Sequence, residues 1–333
     1  MQRFQRRRGH EQQPLVASSL KTESLLDDKE EDSAKMEHIP QEKLSQFWLR
    51  NARGIDCMVH WWNPTLDSTS ARPRGVVVLF HGLGGHAMYP TVRYLAELLV
   101  QNNFCVCCGD YSGHGQSRGR RGFIESTEVL LEDSKQIVEF ARQRDQHLSL
   151  YLGGVSMGGA VALLLSIQFK ESISGLILLA PMVSLDLPKW KRSILRNLHR
   201  ISNTMGLFKP SPKYADHQFR DASRREEAEN DQFCYRGPLL ISSALACVEL
   251  CSRTQQHLKE ISTPFLALMA LDDCFVDNNG IDELMDEASS VDKTLKEYNA
   301  LHGLLCEEER LRSHIEEDIV EWLVQRTDGI HTL

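Results

Sequence analysis

The chain has 333 residues, 41% of them hydrophobic and 25% charged, enough apolar content for a sizeable core in one large domain or two small ones, which excludes disorder throughout. A formal net charge of −8 gives no overall reason to dock on a phosphate backbone, so no nucleic-acid partner is expected. Nine cysteines, an odd number with no paired Cys-x-x-Cys knuckles and several inside apolar runs, point to reduced, mostly buried thiols in a cytoplasmic setting.

Residues 1–43 open with Arg3, Arg6, Arg7 and Arg8 and turn acidic through Glu23, Asp27, Asp28, Glu30, Glu31 and Asp32. This composition predicts a disordered tail. Glu11 and the acidic block argue against a mitochondrial transit peptide, and no apolar h-region for secretion is present. The pattern changes at Ser45. Phe47 to Arg50, an Arg53-Gly54 turn and Asp56 to Trp62, closed by Asn63-Pro64, predict a β-hairpin. Gly75 to Phe80 is a continuous β-branched run of the kind buried on both faces of a parallel sheet. Helix is predicted next over 91–101, with Val92, Leu95, Leu98 and Leu99 at helical spacing, then a strand from Phe104 to Cys108. The alternation continues with helix over 127–144, strand 149–153, helix 158–170 and strand 175–179. That order predicts a mostly parallel, doubly wound α/β sheet with right-handed crossovers.

The rhythm breaks over residues 185–251, where Pro188, Pro210, Pro212, Pro238 and a charged run from Arg220 to Asp231 mark an inserted cap. It resumes with strand Pro264 to Leu271, helix 280–289, strand Lys293 to Tyr298 and a last helix over 307–325 carrying Leu311, Ile315, Ile319, Trp322 and Leu323 on one face. Residues 44–184 and 252–327 therefore form the core. Its longest apolar-looking stretches fall short of the ~20 residues a membrane span requires.

Gly154-Val155-Ser156-Met157-Gly158 stands between a predicted strand and a predicted helix, the context in which G-x-S-x-G carries chemistry. A tight strand-to-helix turn pushes the serine hydroxyl out of the sheet edge, which requires neighbours without a β-carbon. A serine hydroxyl needs a base to take its proton, and the base needs a carboxylate to orient it. Of the histidines after Ser156, His199, His217 and His257 lie in or beside the insertion, His314 in the last helix and His331 at the C-terminus. His302 alone follows a sheet strand, so its loop opens onto the carboxyl edge where the serine sits. The acid is expected after the strand that ends in Asp272-Asp273, with Asp277 four residues on. Asp273 is preferred, although consecutive residues point to opposite sides and the pattern alone leaves the pair open. The oxyanion hole needs backbone donors at Met157 and near the top of the first parallel strand, where His81-Gly82-Leu83-Gly84-Gly85 places Leu83.

Two other readings of these segments are weaker. Gly82-x-Gly84-x-x-Ala87 imitates a dinucleotide fingerprint, but Pro90 favours a later helix start, leaving the glycines short of the N-terminus that holds a pyrophosphate. Asp110 and His114 supply two candidate metal ligands without a third, so the Asp110 to Ser117 segment reads as a glycine-rich turn bracing the site floor. No metal and no organic cofactor are expected.

Taken together, His81-Gly82-x-Gly84, Asp110-x-x-Gly113-His114-Gly115-x-Ser117-x-Gly119, Gly154-x-Ser156-Met157-Gly158-Gly159 and Asp292-Lys-Thr-Leu-Lys…His302 resemble the monoacylglycerol lipase and lysophospholipase branch of the α/β-hydrolases, grouped with the serine aminopeptidase-like hydrolases. The resemblance spans roughly Ser45 to Thr327. It implies the α/β-hydrolase fold, Ser156 as nucleophile, Asp273 as acid, His302 as base and the N–H groups of Leu83 and Met157 as oxyanion donors. It also implies a mobile cap whose apolar face meets membranes peripherally and admits an acyl chain, a role matched by Leu187, Trp190, Ile194 and Leu198. The sequence departs from the family at Val155, which replaces a common His or Glu. Tyr298 to His302 is one residue shorter than usual. Gly85, Tyr89 and Leu305 stand where animal monoacylglycerol lipases hold glycerol, and cannot make the same hydrogen bonds. The expected activity is serine hydrolysis of single-chain acyl-lipid esters, monoacylglycerol or lysophospholipid. The alternatives are hydrolysis of small polar esters or amides by a soluble carboxylesterase or peptidase-like enzyme, and an inactive binding module on the same fold.

Overall fold

The computed structural model describes residues 18–19, 44–65, 72–185, 187–208 and 215–328. Its sheet is built from β1 (Ser18–Ser19), β2 (Leu44–Arg50), β3 (Asp56–Trp62), β4 (Gly75–Phe80), β5 (Phe104–Gly109), β6 (Leu150–Val155), β7 (Ile173–Leu179), β8 (Phe265–Ala270) and β9 (Lys293–Tyr298), in the order β1-β2-β3-β5-β4-β6-β7-β8-β9. The predicted hairpin pairs Leu44 with Trp62 through Arg50 with Asp56, and β3 joins β5 antiparallel. From β5 to β9 every pairing is parallel. Within the tail expected to be disordered, Ser18 and Ser19 pair with Trp48 and Phe47; the rest of that expectation, and the C-terminal His331, fall outside the described residues.

Parallel strands are covered on both faces by crossover helices, and the sequence shows why. Side chains alternate sides along a strand, so Val76, Val78 and Phe80 of β4 enter one core while Val77 and Leu79 enter the other. The first face is covered by α2 (Thr127–Arg144), α3 (Met157–Gln168), α6 (Ile241–Gln256) and α7 (Asn279–Glu287). The second is covered by α1 (Pro90–Gln101) and α8 (Glu309–Asp328), whose Ile315, Ile319, Trp322 and Leu323 pack as the predicted stripe. The chain leaves β4 toward β5 on one side and returns to β6 on the other. The carboxyl ends of β4 and β6 therefore bound the crevice where strand order reverses, the usual ligand position in such sheets.

The insertion forms α4 (Lys189–Ile201) and α5 (Ala222–Asn230). The charged run that marks the insertion is helical over Ala222–Asn230, started by Asp221, whose carboxylate accepts the N–H groups of Ser223 and Arg224 at 2.9 and 3.1 Å. The cap boundary expected at residue 251 falls inside α6. That helix buries Ala246 and Leu250 in the sheet core and Ile241, Leu245 and Val248 against Leu195 of α4, so it ties the cap to the core.

Candidate active site

Ser156 is the single residue between β6 and α3, with φ 56° and ψ −120°. A positive φ at a residue with a side chain is a strained backbone held by its surroundings. The surroundings here are glycines: a β-carbon on Gly154 would lie 2.2 Å from the Gly158 carbonyl oxygen, and one on Gly158 would lie 2.0 Å from the Phe80 carbonyl oxygen. Hydrogen bonds close the turn. Ser156 N–H donates to Leu179 O at 3.0 Å, and Ser156 O accepts Gly159 N–H and Met182 N–H, each at 2.9 Å. The hydroxyl thus stands at the N-terminus of α3, where the backbone dipoles favour negative charge.

Beyond β8 and β9, two loops bring Asp273 and His302 together. His302 Nδ1 lies 2.6 Å from Asp273 Oδ2, and both side chains are buried. Asp273 Oδ1 accepts the N–H groups of Phe275 and Val276 at 2.7 and 3.3 Å, and the Phe275 ring packs 5.1 Å from the imidazole. With Nδ1 facing a carboxylate, the network assigns the proton to Nδ1 and leaves Nε2 as the acceptor. Asp272 turns the other way and pairs with Arg220 of the cap. Arg220 Nη1 also donates to Asn299 O at 3.0 Å, and its Nε lies 3.6 Å from Glu307 Oε2. Glu307 Oε1 in turn accepts Leu301 N–H at 2.6 Å. The segment before His302 is therefore clamped from the cap and from within its own loop. Asp277 is engaged with Ser184 and Asn279, away from the imidazole.

After β4, Gly82 backs directly onto Ser156: a β-carbon there would lie 3.4 Å from Ser156 Cβ. The Gly82 carbonyl accepts Gly85 N–H at 3.2 Å and His81 Nδ1–H at 2.8 Å. His81 Nε2 accepts Tyr111 N–H at 3.1 Å, and burial, with His114 nearby, lowers its pKa to about 3, so this ring is a neutral strut. The N–H groups of Leu83 and Met157 have no intramolecular acceptor among the described residues. Asp110 stays on the floor as expected, accepting the N–H groups of Ala87 and Gln116, each at 2.8 Å. Burial opposes its charge, but His60 and these donors outweigh it and hold the carboxyl well below its usual range. Helix α1 starts at Pro90, several residues beyond the glycines of the false dinucleotide pattern.

Ser156, Asp273 and His302 line one cavity of about 1310 Å³, whose walls include Leu187, Ile194, Leu198, Phe208 and Val248. Of the predicted stripe on the cap, Leu187, Ile194 and Leu198 line it, while Trp190 is 62% exposed. No site role was expected for two further residues, Gln218, which lines the cavity, and Arg220, which pairs with Asp272. Their segment shows no periodicity, and only Arg220 is marked, as the start of the charged run.

A family model for serine aminopeptidase, S33, matches residues 71–309. The monoglyceride lipase of Homo sapiens is 28% identical over 84% of this chain and 90% of its own length. The monoacylglycerol lipase of Mycolicibacterium smegmatis is 25% identical over 84% of this chain and 97% of its own length. Among solved structures, a soluble variant of monoglyceride lipase from Saccharomyces cerevisiae in complex with a substrate analog superposes with a TM-score of 0.72 at 21% identity, covering 82% of this chain and 92% of that one.

Proposed function

The chain belongs to the serine aminopeptidase S33 family and is a serine hydrolase of the α/β-hydrolase fold, and from that membership we propose that it cleaves carboxylic esters of single-chain acyl lipids through an acyl-enzyme intermediate. The observation that carries the proposal is the pairing of the strained Ser156 and the buried Asp273–His302 contact with one large, mainly apolar cavity. Monoacylglycerols and lysophospholipids are the substrate class that such a cavity suits, because one alkyl chain finds apolar walls beside a single reacting hydroxyl.

In this reading His302 Nε2 takes the Ser156 proton as Oγ attacks the acyl carbonyl. The charge that develops on the carbonyl oxygen is met by the N–H groups of Leu83 and Met157, each such donor being worth about 3 kcal/mol in the transition state. His302 then returns the proton to the departing alcohol, and Asp273 holds the imidazole in the required tautomer throughout. Water, deprotonated by His302, attacks the acyl-serine, and collapse of that second tetrahedral species frees the fatty acid and restores Ser156. The chemistry calls for no metal or cofactor. The cap, residues 185–251, is assigned the delivery of substrate: Trp190 and Ile201 of α4 expose apolar surface suited to peripheral contact with a lipid surface.

Chain-length dependence tests the proposal. Each buried methylene contributes about 0.8 kcal/mol, so kcat/KM for p-nitrophenyl esters should rise steeply from acetyl to decanoyl. A flat profile would overturn the lipid assignment in favour of a small-ester hydrolase.

A further inference from the structure

Gln218 follows the short helical turn Ala215–His217 of the cap, is 7% exposed and lines the same cavity as Ser156 and His302. Both ends of this residue are fixed. Its main-chain carbonyl accepts the N–H of Gly303, next to His302, at 2.9 Å. Its carboxamide oxygen accepts the Tyr89 hydroxyl at 3.1 Å, and the Tyr89 ring lies 3.7 Å from where a β-carbon on Gly85 would sit. Gln218 therefore spans from the loop of His302 to the glycine turn after β4, the two segments that flank Ser156.

The carboxamide NH2 is different. It has no acceptor among the described residues, yet it is not sealed in protein. Its residue borders the cavity, so these two N–H donors are available to a group that enters that space. Buried polar groups are rarely left without a partner, and one whose acceptor side is anchored and whose donor side is open is preorganised to bind an oxygen. The cationic side chains that line the cavity, Lys191 and Arg236, are exposed. The buried donor at this point is neutral, matching a hydroxyl oxygen better than an anionic phosphodiester, whose desolvation calls for a paired charge.

We propose that Gln218, positioned by Tyr89, is a specificity-determining residue that binds a hydroxyl oxygen of the leaving alcohol, so that the enzyme selects acyl esters of neutral polyols. This rests on ester hydrolysis at Ser156 and narrows its substrate class.

The test compares kcat/KM on a monoacylglycerol, on lysophosphatidylcholine and on the methyl ester, all of one fatty acid, for the wild type, Gln218→Met and Tyr89→Phe. Met keeps the length of the side chain and removes both donors. The ratio of polyol ester to methyl ester should fall roughly tenfold in Gln218→Met, the loss expected for one hydrogen bond to a hydroxyl. It should fall less in Tyr89→Phe, where the donor remains and its anchor is lost. An unchanged ratio in Gln218→Met, whether both rates fall together or neither moves, overturns the assignment, since packing alone or a bound water would then account for the contact. An equal loss on lysophosphatidylcholine overturns the choice of a neutral polyol. If Gln218→Met does not fold, Tyr89→Phe decides, and an unchanged ratio there overturns the proposal. Failure of the wild type on all three esters would instead remove the underlying ester-hydrolase reading, whereas methyl-ester hydrolysis without polyol preference would remove only the role of Gln218.

Discussion

The neighbours Asp272 and Asp273 share a chemistry and differ in what they face. Asp273 meets His302, whereas Asp272 is drawn to Arg220. Asp273→Asn should lower kcat on a p-nitrophenyl ester by about 10³- to 10⁴-fold, the loss expected when an imidazole is left in the wrong tautomer. Asp272→Asn, which removes a half-exposed ion pair, should change kcat by less than about threefold. The reverse order would exchange their roles. The residue pattern located the pair and left it open, and the preference for Asp273 leaned on the family resemblance, because the partner that draws Asp272 away sits in the cap and contacts between distant segments leave no local trace. The glycines of the serine turn were legible for the opposite reason: their constraint is local and steric. Gly158→Ala would drive a methyl group into the Phe80 carbonyl, and a stability loss on the order of 2–4 kcal/mol is expected in a denaturant titration. A loss below about 0.5 kcal/mol would show that the turn can relax.

At the scale of elements, the strands of the parallel sheet were legible because burial on both faces selects continuous runs such as Gly75 to Phe80 and Phe104 to Cys108. The final helix was legible from its stripe. The orientation of the cap was not, since distant contacts set it: α4 turns Ile194 and Leu198 to the cavity and Leu195 to α6, while α5 is a charged segment that its cap at Asp221 and its packing make helical. Trp190 and Ile201 are 62% and 82% exposed and stand roughly three turns apart, hence on one side of α4. Replacing both with serine should weaken binding to phosphatidylcholine vesicles by about tenfold or more, given the apolar area removed. Unaltered sedimentation with vesicles would show that this face does not meet lipid.

For the molecule as a whole, the buried histidines set an acid limit. Burial lowers His81 to about 3 and His114 to about 4, from an ordinary 6.5. Above pH 6.5 both are neutral whether the chain is folded or not, so their contribution is complete. Below it the unfolded chain takes up protons that the folded one refuses. Stability should then fall by about 1.4 kcal/mol per pH unit for each such group until the folded values are reached. Denaturant titrations between pH 7 and pH 5 should show this slope, and His81→Asn, which keeps a donor toward Gly82, should flatten it; an identical slope in that variant would place the sensitivity elsewhere.

The central claim is that the Ser156 hydroxyl, activated through His302, performs the reaction. Treating the full-length protein with a long-chain fluorophosphonate and mapping the adduct by peptide mass spectrometry tests it most directly. The account predicts a single adduct on Ser156, absent in Ser156→Ala and slowed by orders of magnitude in a His302→Ala variant that remains folded. Modification at another residue, or none in active protein, would contradict it.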